Sequence, residues 1–127
     1  MARLLILDED NFFINSVNFF FANEGYSIET SQDGKVGMDL IEKNNFDVII
    51  CNTQLRHKSG YEVARAIKQI DSKKNIPIIM VSPANNIVSL NSNDEVLYDA
   101  YLQKPINFIT LKEKIQELAS RKLQASH

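Results

Sequence analysis

The fold is decided by the stretch FDVIICNTQLRHKSG, residues 46–60. Its apolar run, residues 48–51, is typical of a strand that is covered on both faces in a parallel sheet. Asn52 follows the run directly, at the strand end where α/β proteins place their functional groups. Gly60 comes eight residues later, after a polar loop. The stretch therefore predicts a central buried strand with an amide at its most important position.

Three further apolar runs also end in polar or charged residues. The runs and the residues that follow them are 4–7 with Asp8, Glu9 and Asp10; 76–81 with Ser82; and 100–103 with Lys104. A fifth segment, 26–30, alternates between apolar and polar residues like a strand. Because the carboxyl ends of parallel strands meet at one edge of a sheet, we expect these polar residues to converge near Asn52.

Helical patterns connect the strands. The first helix is expected from a cap at Asp10 or Asn11 to about Asn23, and others at about 34–45, 60–70 and 108–118. Phe13, Val17, Phe20 and Phe21 fall on one face of the first helix and are expected to pack on the sheet. The second helix is expected to contain Val36, Met38, Leu40 and Ile41. Residues 84–97 read poorly as a helix, since their asparagines and serines favour turns and caps.

This alternation predicts an α/β, doubly wound domain: a five-stranded parallel sheet covered on both faces, with right-handed crossovers. We expect the domain to occupy residues 1–119 and a polar tail, residues 120–127, to fray. At 127 residues one domain is also the expectation from size.

Composition narrows the possible partners. A formal net charge of −2 gives no reason to expect nucleic acid or an anionic membrane as a partner. No apolar run approaches the ~20 residues that span a bilayer, and the N-terminus turns acidic too early for a signal peptide. The single cysteine, Cys51, lies in the most apolar strand and is expected to be a buried structural thiol. A cytoplasmic location is the expectation.

Taken in order, these elements resemble the receiver domains of two-component response regulators from Leu4 to about Leu118. The resemblance implies a flavodoxin-like (βα)5 architecture with strand order 2-1-3-4-5. It also implies a role for each polar residue in the pattern. Asp8 and Glu9 would help to hold Mg²⁺, Asn52 stands at the phosphoacceptor position, Ser82 would contact a phosphoryl group, Tyr101 of YLQKP would be the switch aromatic, and Lys104 the conformational lysine.

The departure at Asn52 matters most, because a neutral amide is not the nucleophile that a carboxylate is. No catalytic residue is therefore expected to be intact, and the chain is not expected to be an enzyme. Asp8, Glu9, the Asn52 side chain and the Gln54 backbone still offer oxygen ligands, so we expect Mg²⁺ to bind weakly or not at all. Lys104 loses its central anionic partner, and Asp8 is the candidate to replace it.

A partner surface is predicted at Phe12, Phe19 and Tyr101. On the first helix Phe12 and Phe19 lie seven residues apart and away from the core-facing positions. The partner is expected to be a protein: a sensor kinase, an output domain or another signalling protein. Thr53 is not expected to replace the acceptor, because alternation along the strand directs it away from the site.

Three functions remain open at this point. The first is a receiver-like module that signals by protein contacts without phosphorylation. The second is a conventional phosphorylated receiver whose aspartate was replaced by design at position 52; further departures at Arg56, Pro83 and 84–98 favour natural divergence. The third is a haloacid dehalogenase-type phosphatase with Asp8 as nucleophile and Asp10 as general acid. Against this alternative, the sequence has no late acidic pair at a strand end to hold Mg²⁺.

Overall fold

Five parallel strands form one sheet in the order β2-β1-β3-β4-β5, in a computed structural model that describes residues 2–83 and 97–125. The elements in these residues are β1 (Arg3–Leu7), α1 (Asn11–Phe20), β2 (Ser27–Ser31), α2 (Gly34–Lys43), β3 (Val48–Asn52), α3 (Gly60–Lys68), β4 (Ile78–Ser82), β5 (Ala100–Gln103) and α4 (Phe108–Ala125). The α/β class, the doubly wound parallel sheet and its strand order are as predicted. Residues 84–96, in which only a poor helix is predicted, lie outside the described residues.

The central strands β3 and β4 are buried along their whole length, and β1 is buried from Leu4 onwards. Alternate residues of these strands enter two cores. On one face Ile6 and Ile50 pack with residues of α1 and α4; on the other Leu7 and Cys51 pack with residues of α2 and α3. Since side chains alternate along a strand, Asp8 and Asn52 continue the face that α1 and α4 cover. The register therefore places both residues together at the edge of the sheet.

Helix α1 begins at Asn11, with Asp10 as its N-cap. The side-chain Oδ1 of Asp10 accepts hydrogen bonds from the backbone N–H groups of Phe12 (2.9 Å) and Phe13 (3.4 Å). The helix ends at Phe20, earlier than predicted, because the chain turns through Asn23 (φ 66°) and Gly25 (φ 85°). Left-handed backbone at these residues is incompatible with a continued helix.

Helix α2 packs on the sheet through a glycine. Val36 is 49% exposed, whereas Gly37 is buried. A Cβ at Gly37 would lie 2.7 Å from Leu7 Cδ2. The strand thus packs directly on the glycine, and the helix is rotated so that Val36 faces outwards.

Helix α4 extends to Ala125, well into the segment 120–127 that is predicted to fray. Glu117 and Arg121, one turn apart, form an ion pair across the predicted boundary. Residues of this type and spacing support a helix after its apolar face has ended. The helical end was therefore predicted too early.

Candidate functional site

A cleft of about 540 Å³ opens at the carboxyl edge of the sheet. It brings together five of the residues predicted for the site: Asp8, Glu9, Asn52, Gln54 and Lys104. The other residues that line it are Asp10, Phe12, Phe13, Ser16, Pro83, Pro105, Ile106 and Phe108. The cleft is therefore polar where the strands end and apolar between α1 and α4.

Asn52 is the last residue of β3 and is 5% exposed. Its side-chain Oδ1 accepts a hydrogen bond from the backbone N–H of Gln54 at 2.9 Å. The chain then returns to the same point, since the backbone N–H of Gly60 donates to Thr53 O at 2.9 Å. A Cβ on Gly60 would lie 2.1 Å from Asn52 O, so only glycine permits this approach. The eight-residue interval thus reflects a loop that closes onto its own strand.

Asp8 and Lys104 form the central ion pair of the cleft. Asp8 is 1% exposed, and its Oδ1 accepts from the backbone N–H of Asp10 (2.9 Å) and from Lys104 Nζ (3.3 Å). Its Oδ2 lies 3.1 Å from Lys104 Nζ as an ion pair but accepts no hydrogen bond from the described residues. The lysine therefore has an anionic partner in the chain although position 52 is uncharged.

Lys104 also reaches the start of α1. Its Nζ lies 3.4 Å from Asp10 Oδ2 and 4.7 Å from the centre of the Phe13 ring. Burial alone would raise the pKa of the Asp10 carboxyl, but hydrogen bonds from the backbone of Phe13 and Phe12 and the charge of Lys104 outweigh it and lower that pKa. One ammonium group thus joins the edge of the sheet to the N-terminus of α1.

Aromatic rings continue from this contact along the interface of α1 and α4. Phe13 stacks on Phe108 with ring centres 6.2 Å apart, and Phe108 stacks on Phe20 at 5.6 Å. The pattern predicted Phe13 and Phe20 only as core residues; their proximity to Lys104 and Phe108 depends on how the two helices approach. Phe12 and Phe19 are 80% and 86% exposed, as predicted.

The residues that would hold Mg²⁺ fit a weak site. Asp8, Glu9 and the Asn52 amide offer hard oxygen atoms at one cleft, and Asp8 Oδ2 is a buried oxygen to which no group of residues 2–83 or 97–125 donates a hydrogen bond. Two features oppose the ion: Lys104 already neutralises Asp8, and Glu9 lies 4.0 Å from the guanidinium of Arg56. In the described part of the chain, no cluster of three or more His, Cys, Asp or Glu side chains could hold a metal ion.

Ser82 and Tyr101 do not line the cleft. Ser82 is fully buried at the end of β4, and its Oγ has no hydrogen-bond partner among the described residues. Its carbonyl oxygen accepts from the backbone N–H of Lys104 at 2.9 Å, so it contacts the site through the backbone. Tyr101 is half-buried against the core of α2 and α3, beside Tyr98 at 5.6 Å. It therefore shares no surface with Phe12 and Phe19, contrary to the grouping predicted.

Thr53 lies buried on the α2 and α3 side of the sheet by alternation with Cys51, and its Oγ1 is without a hydrogen-bond partner in the described residues. Burial, followed by the charge of Asp8, raises the pKa of the Cys51 thiol far above its usual range. Neither side chain is placed to react at the cleft.

A further contact at this edge joins two loops. His57 Nδ1 lies 2.5 Å from Asp33 Oδ2, and the backbone N–H of Gly34 donates to Arg56 O at 3.0 Å, which ties the β3–α3 loop to the start of α2. Burial would raise the pKa of Asp33, but its hydrogen bonds from His57 and from the backbone of Val36 and Lys35 lower it. The residues lie far apart in sequence, and no spacing pattern connects them.

The sequence profile of the response regulator receiver domain matches residues 4–116 of the chain. The response regulator MprA of Mycobacterium sp. (strain KMS) is 26% identical over 120 residues, which cover 94% of this chain and 51% of that protein. The chain thus spans about half the length of the curated relatives it matches.

Solved structures agree with this match. A CheY-like response regulator receiver domain protein from Methanospirillum hungatei has a TM-score of 0.87 and 26% identity, with 98% of each chain covered. The receiver domain of the Francisella response regulator 1452 has a TM-score of 0.84 and 24% identity over 96% of this chain and 99% of that one. Within the described residues, no helix combines the length and apolar character needed to cross a membrane. On the profile match, the chain belongs to the response regulator receiver domains of two-component signalling.

Proposed function

We propose that this receiver domain works without phosphorylation and signals by binding a protein partner directly. One observation carries the proposal: the residue at the end of β3, where the family pattern has its phosphoacceptor, is Asn52. An amide neither attacks a phosphoryl donor at a useful rate nor forms an acyl phosphate.

The surrounding charges support a site that has adapted to an uncharged centre. Lys104 is within 3.4 Å of both Asp8 and Asp10, so its charge is balanced without a carboxylate at position 52. The Asn52 side chain is itself engaged with the backbone of Gln54. This arrangement favours one fixed conformation and the non-enzymatic role that is general in the family.

The test is a phosphodonor assay on the full chain. Incubation with labelled acetyl phosphate and Mg²⁺ is expected to leave the native chain unlabelled, whereas Asn52→Asp restores a carboxylate in the same backbone position. Asp39→Asn is the matched control, since Asp39 is an exposed carboxylate on α2 and its loss should change nothing. Stoichiometric label on the native chain would overturn the proposal.

Mg²⁺ binding provides a second measurement. Receiver domains typically bind this ion weakly, and we propose that Asp8, Glu9, Asn52 and the Gln54 carbonyl bind it more weakly still here. Asn52→Asp should raise the affinity by roughly tenfold, because ligand charge tunes the binding of hard cations. Unchanged affinity by calorimetry would mean that the pocket is no longer built for the ion.

Two alternatives are separated by simple observations. A conventional receiver carrying a designed replacement at position 52 would show an aspartate codon in the encoding genomic sequence. The phosphatase alternative would require hydrolysis of p-nitrophenyl phosphate that is lost in Asp8→Asn. The buried contact of Asp8 with Lys104 speaks against a free nucleophile at that position.

A further inference from the structure

The cleft at the edge of the sheet is larger than a metal ion needs. Its volume is about 540 Å³. A Mg²⁺ ion with six waters fills roughly 200 Å³, since each water takes up about 30 Å³. Cavities of several hundred Å³ that combine apolar walls with a few convergent polar groups are typical of small-molecule sites. The cleft therefore has a volume to which a hydrated ion assigns no use.

The walls of this additional volume are apolar. Between α1 and α4, the side chains that line the cleft are, apart from Ser16, those of Phe12, Phe13, Pro83, Pro105, Ile106 and Phe108. Phe13 is 4% exposed and stacks on Phe108, so these two rings form a fixed inner wall. Phe12 is 80% exposed and forms the outer wall. A flat apolar group in the cleft would cover Phe12 and gain the free energy of burying its ring.

The polar end of the cleft has one negative charge in excess. Among the described residues that line it, Asp8, Glu9 and Asp10 are anionic and Lys104 is cationic. Arg56, which lies 4.0 Å from Glu9, adds a second positive charge. The formal charge of these five residues is therefore −1. A divalent ion would reverse this charge, whereas a singly charged cation neutralises it.

Asp8 supplies an acceptor for such a cation. The residue is 1% exposed, and Oδ2 accepts no hydrogen bond from residues 2–83 or 97–125. Lys104 Nζ lies 3.1 Å away, but this one ammonium group is also within 3.4 Å of Asp10. A buried acceptor without a donor costs free energy, which a donor on a ligand offsets. An ammonium group carries three N–H donors and fits this oxygen by charge as well as by hydrogen bonding.

From these observations we propose that the cleft binds a small aromatic amine, in which a short chain joins a primary ammonium group to an aromatic ring. The ammonium group lies at the strand ends, against Asp8 and Glu9. The ring lies between α1 and α4, against Phe12. This inference goes beyond the proposed function, because it assigns the cleft a small-molecule ligand in addition to the protein partner.

An NMR titration of the full chain with 2-phenylethylamine tests the binding. A ligand of about nine non-hydrogen atoms is expected to bind with a dissociation constant of about 1 mM. The backbone N–H signals of Asp10 and Gln54 should shift, since both residues line the cleft. The absence of shifts up to about 20 mM ligand, or shifts confined to residues outside the cleft, overturns the inference.

Two further probes separate the charge from the ring. 2-Phenylethanol retains the ring without the positive charge, and Nα-acetyl-lysine amide presents an ammonium group on an aliphatic chain, as a lysine of a protein does. Both should bind at least about fivefold more weakly than 2-phenylethylamine. Equal affinity for the alcohol overturns the recognition of the ammonium group. Equal affinity for the lysine amide would show that the cleft accepts a lysine side chain of a protein, and overturns the aromatic ligand.

A pair of variants on α1 tests where the ring binds. Phe12→Gln should weaken the binding of 2-phenylethylamine about fivefold, because it removes the outer wall of the cleft. Phe19→Gln is the matched control: Phe19 is 86% exposed on the same helix but does not line the cleft, so its loss should leave the affinity unchanged. Equal effects of the two variants would overturn the placement of the ring.

A second pair tests where the ammonium group binds. Glu9→Gln changes the formal charge of the site from −1 to zero and should weaken binding about threefold. Asp39→Asn removes an exposed carboxylate on α2, away from the cleft, and should not change the affinity. Both positions are exposed, so the fold is retained in each variant. An affinity that is unchanged in Glu9→Gln would overturn the placement of the ammonium group.

Discussion

The cleft at the edge of the sheet and the outer face of α1 share Phe12, yet they are built in opposite ways. In the cleft, Asp8 is almost fully buried and its charge is balanced by Lys104 from the same chain. On α1 the aromatic side chains are the most exposed of the described large apolar residues, and no charge accompanies them. The comparison shows that the buried charge of the polar site is balanced within one chain, whereas the two aromatic side chains on the outer face of α1 are left exposed by it.

The largest expected effect on stability tests whether the backbone around the cleft is rigid. Gly60→Ala sets a Cβ 2.1 Å from the backbone oxygen of Asn52, and a backbone atom in β3 cannot move aside. We expect a loss of about 4 kcal/mol or more in the free energy of unfolding, measured by urea denaturation. Gly37→Ala is the matched control, because its Cβ meets only the flexible end of Leu7 and should cost clearly less. Equal losses would show that the loop can adjust.

Removal of the internal cation tests the balance of charges in the cleft. Lys104→Met leaves the Asp8 carboxylate buried without its counter-ion, which should cost roughly 3 kcal/mol of unfolding free energy. Lys112→Met breaks a more exposed pair with Glu24 and should cost less than about 1 kcal/mol. If both variants lose the same unfolding free energy, the ion pair of Lys104 with Asp8 is no better shielded from water than the pair of Lys112 with Glu24.

A smaller effect is expected where the two regions meet, at the cap of α1. Asp10→Ala removes the acceptor for two backbone N–H groups and should cost about 1 kcal/mol at pH 7, whereas Asp10→Asn should retain most of the capping. Because folding lowers the pKa of Asp10, its contribution is present above the unfolded-state value and is lost as the pH falls through the folded-state value. The difference between the native chain and Asp10→Ala, measured by thermal unfolding, should therefore shrink below about pH 4. A difference independent of pH would contradict the charged cap.

The smallest effect on stability is expected on the outer face of α1. The double variant Phe12→Gln, Phe19→Gln should change the unfolding free energy of the dilute chain by no more than about 0.5 kcal/mol, because both rings are exposed. Phe13→Ala, one residue along, should cost about 3 kcal/mol, since Phe13 is 4% exposed. A large loss in the double variant would mean that these rings support the fold and are not reserved for contact.

Much of the fold was predictable because its signals are local. The apolar run before Asn52 is typical of a doubly covered strand, and the apolar runs that precede Asp8, Ser82 and Lys104 predicted the edge at which these residues would meet. The glycine eight residues after Asn52 has a physical basis that the structure shows, the close approach of Gly60 to the backbone of Asn52. The family match confirms the receiver architecture; the loss of phosphorylation stays a proposal.

The errors came from contacts that depend on the approach of whole elements. The sequence does not indicate that Gly37 meets Leu7 while Val36 faces outwards, because a glycine has no side chain to signal its burial. Tyr101 was grouped with Phe12, although the two lie on opposite faces of the sheet, because register across β4 and β5 is not visible in the sequence. The tie between His57 and Asp33 depends likewise on how two loops meet.

The position of the single thiol makes its reactivity a measure of how often the sheet opens. Cys51 sits in the middle strand, 1% exposed, and burial keeps it protonated, so a thiol-directed reagent has nothing to attack in the intact sheet. Its rate of modification therefore counts how often the centre of the domain opens. The native cysteine is therefore sufficient as a probe of this opening. A ligand that slows the modification of Cys51 stabilises the closed sheet, and the degree of slowing measures that stabilisation.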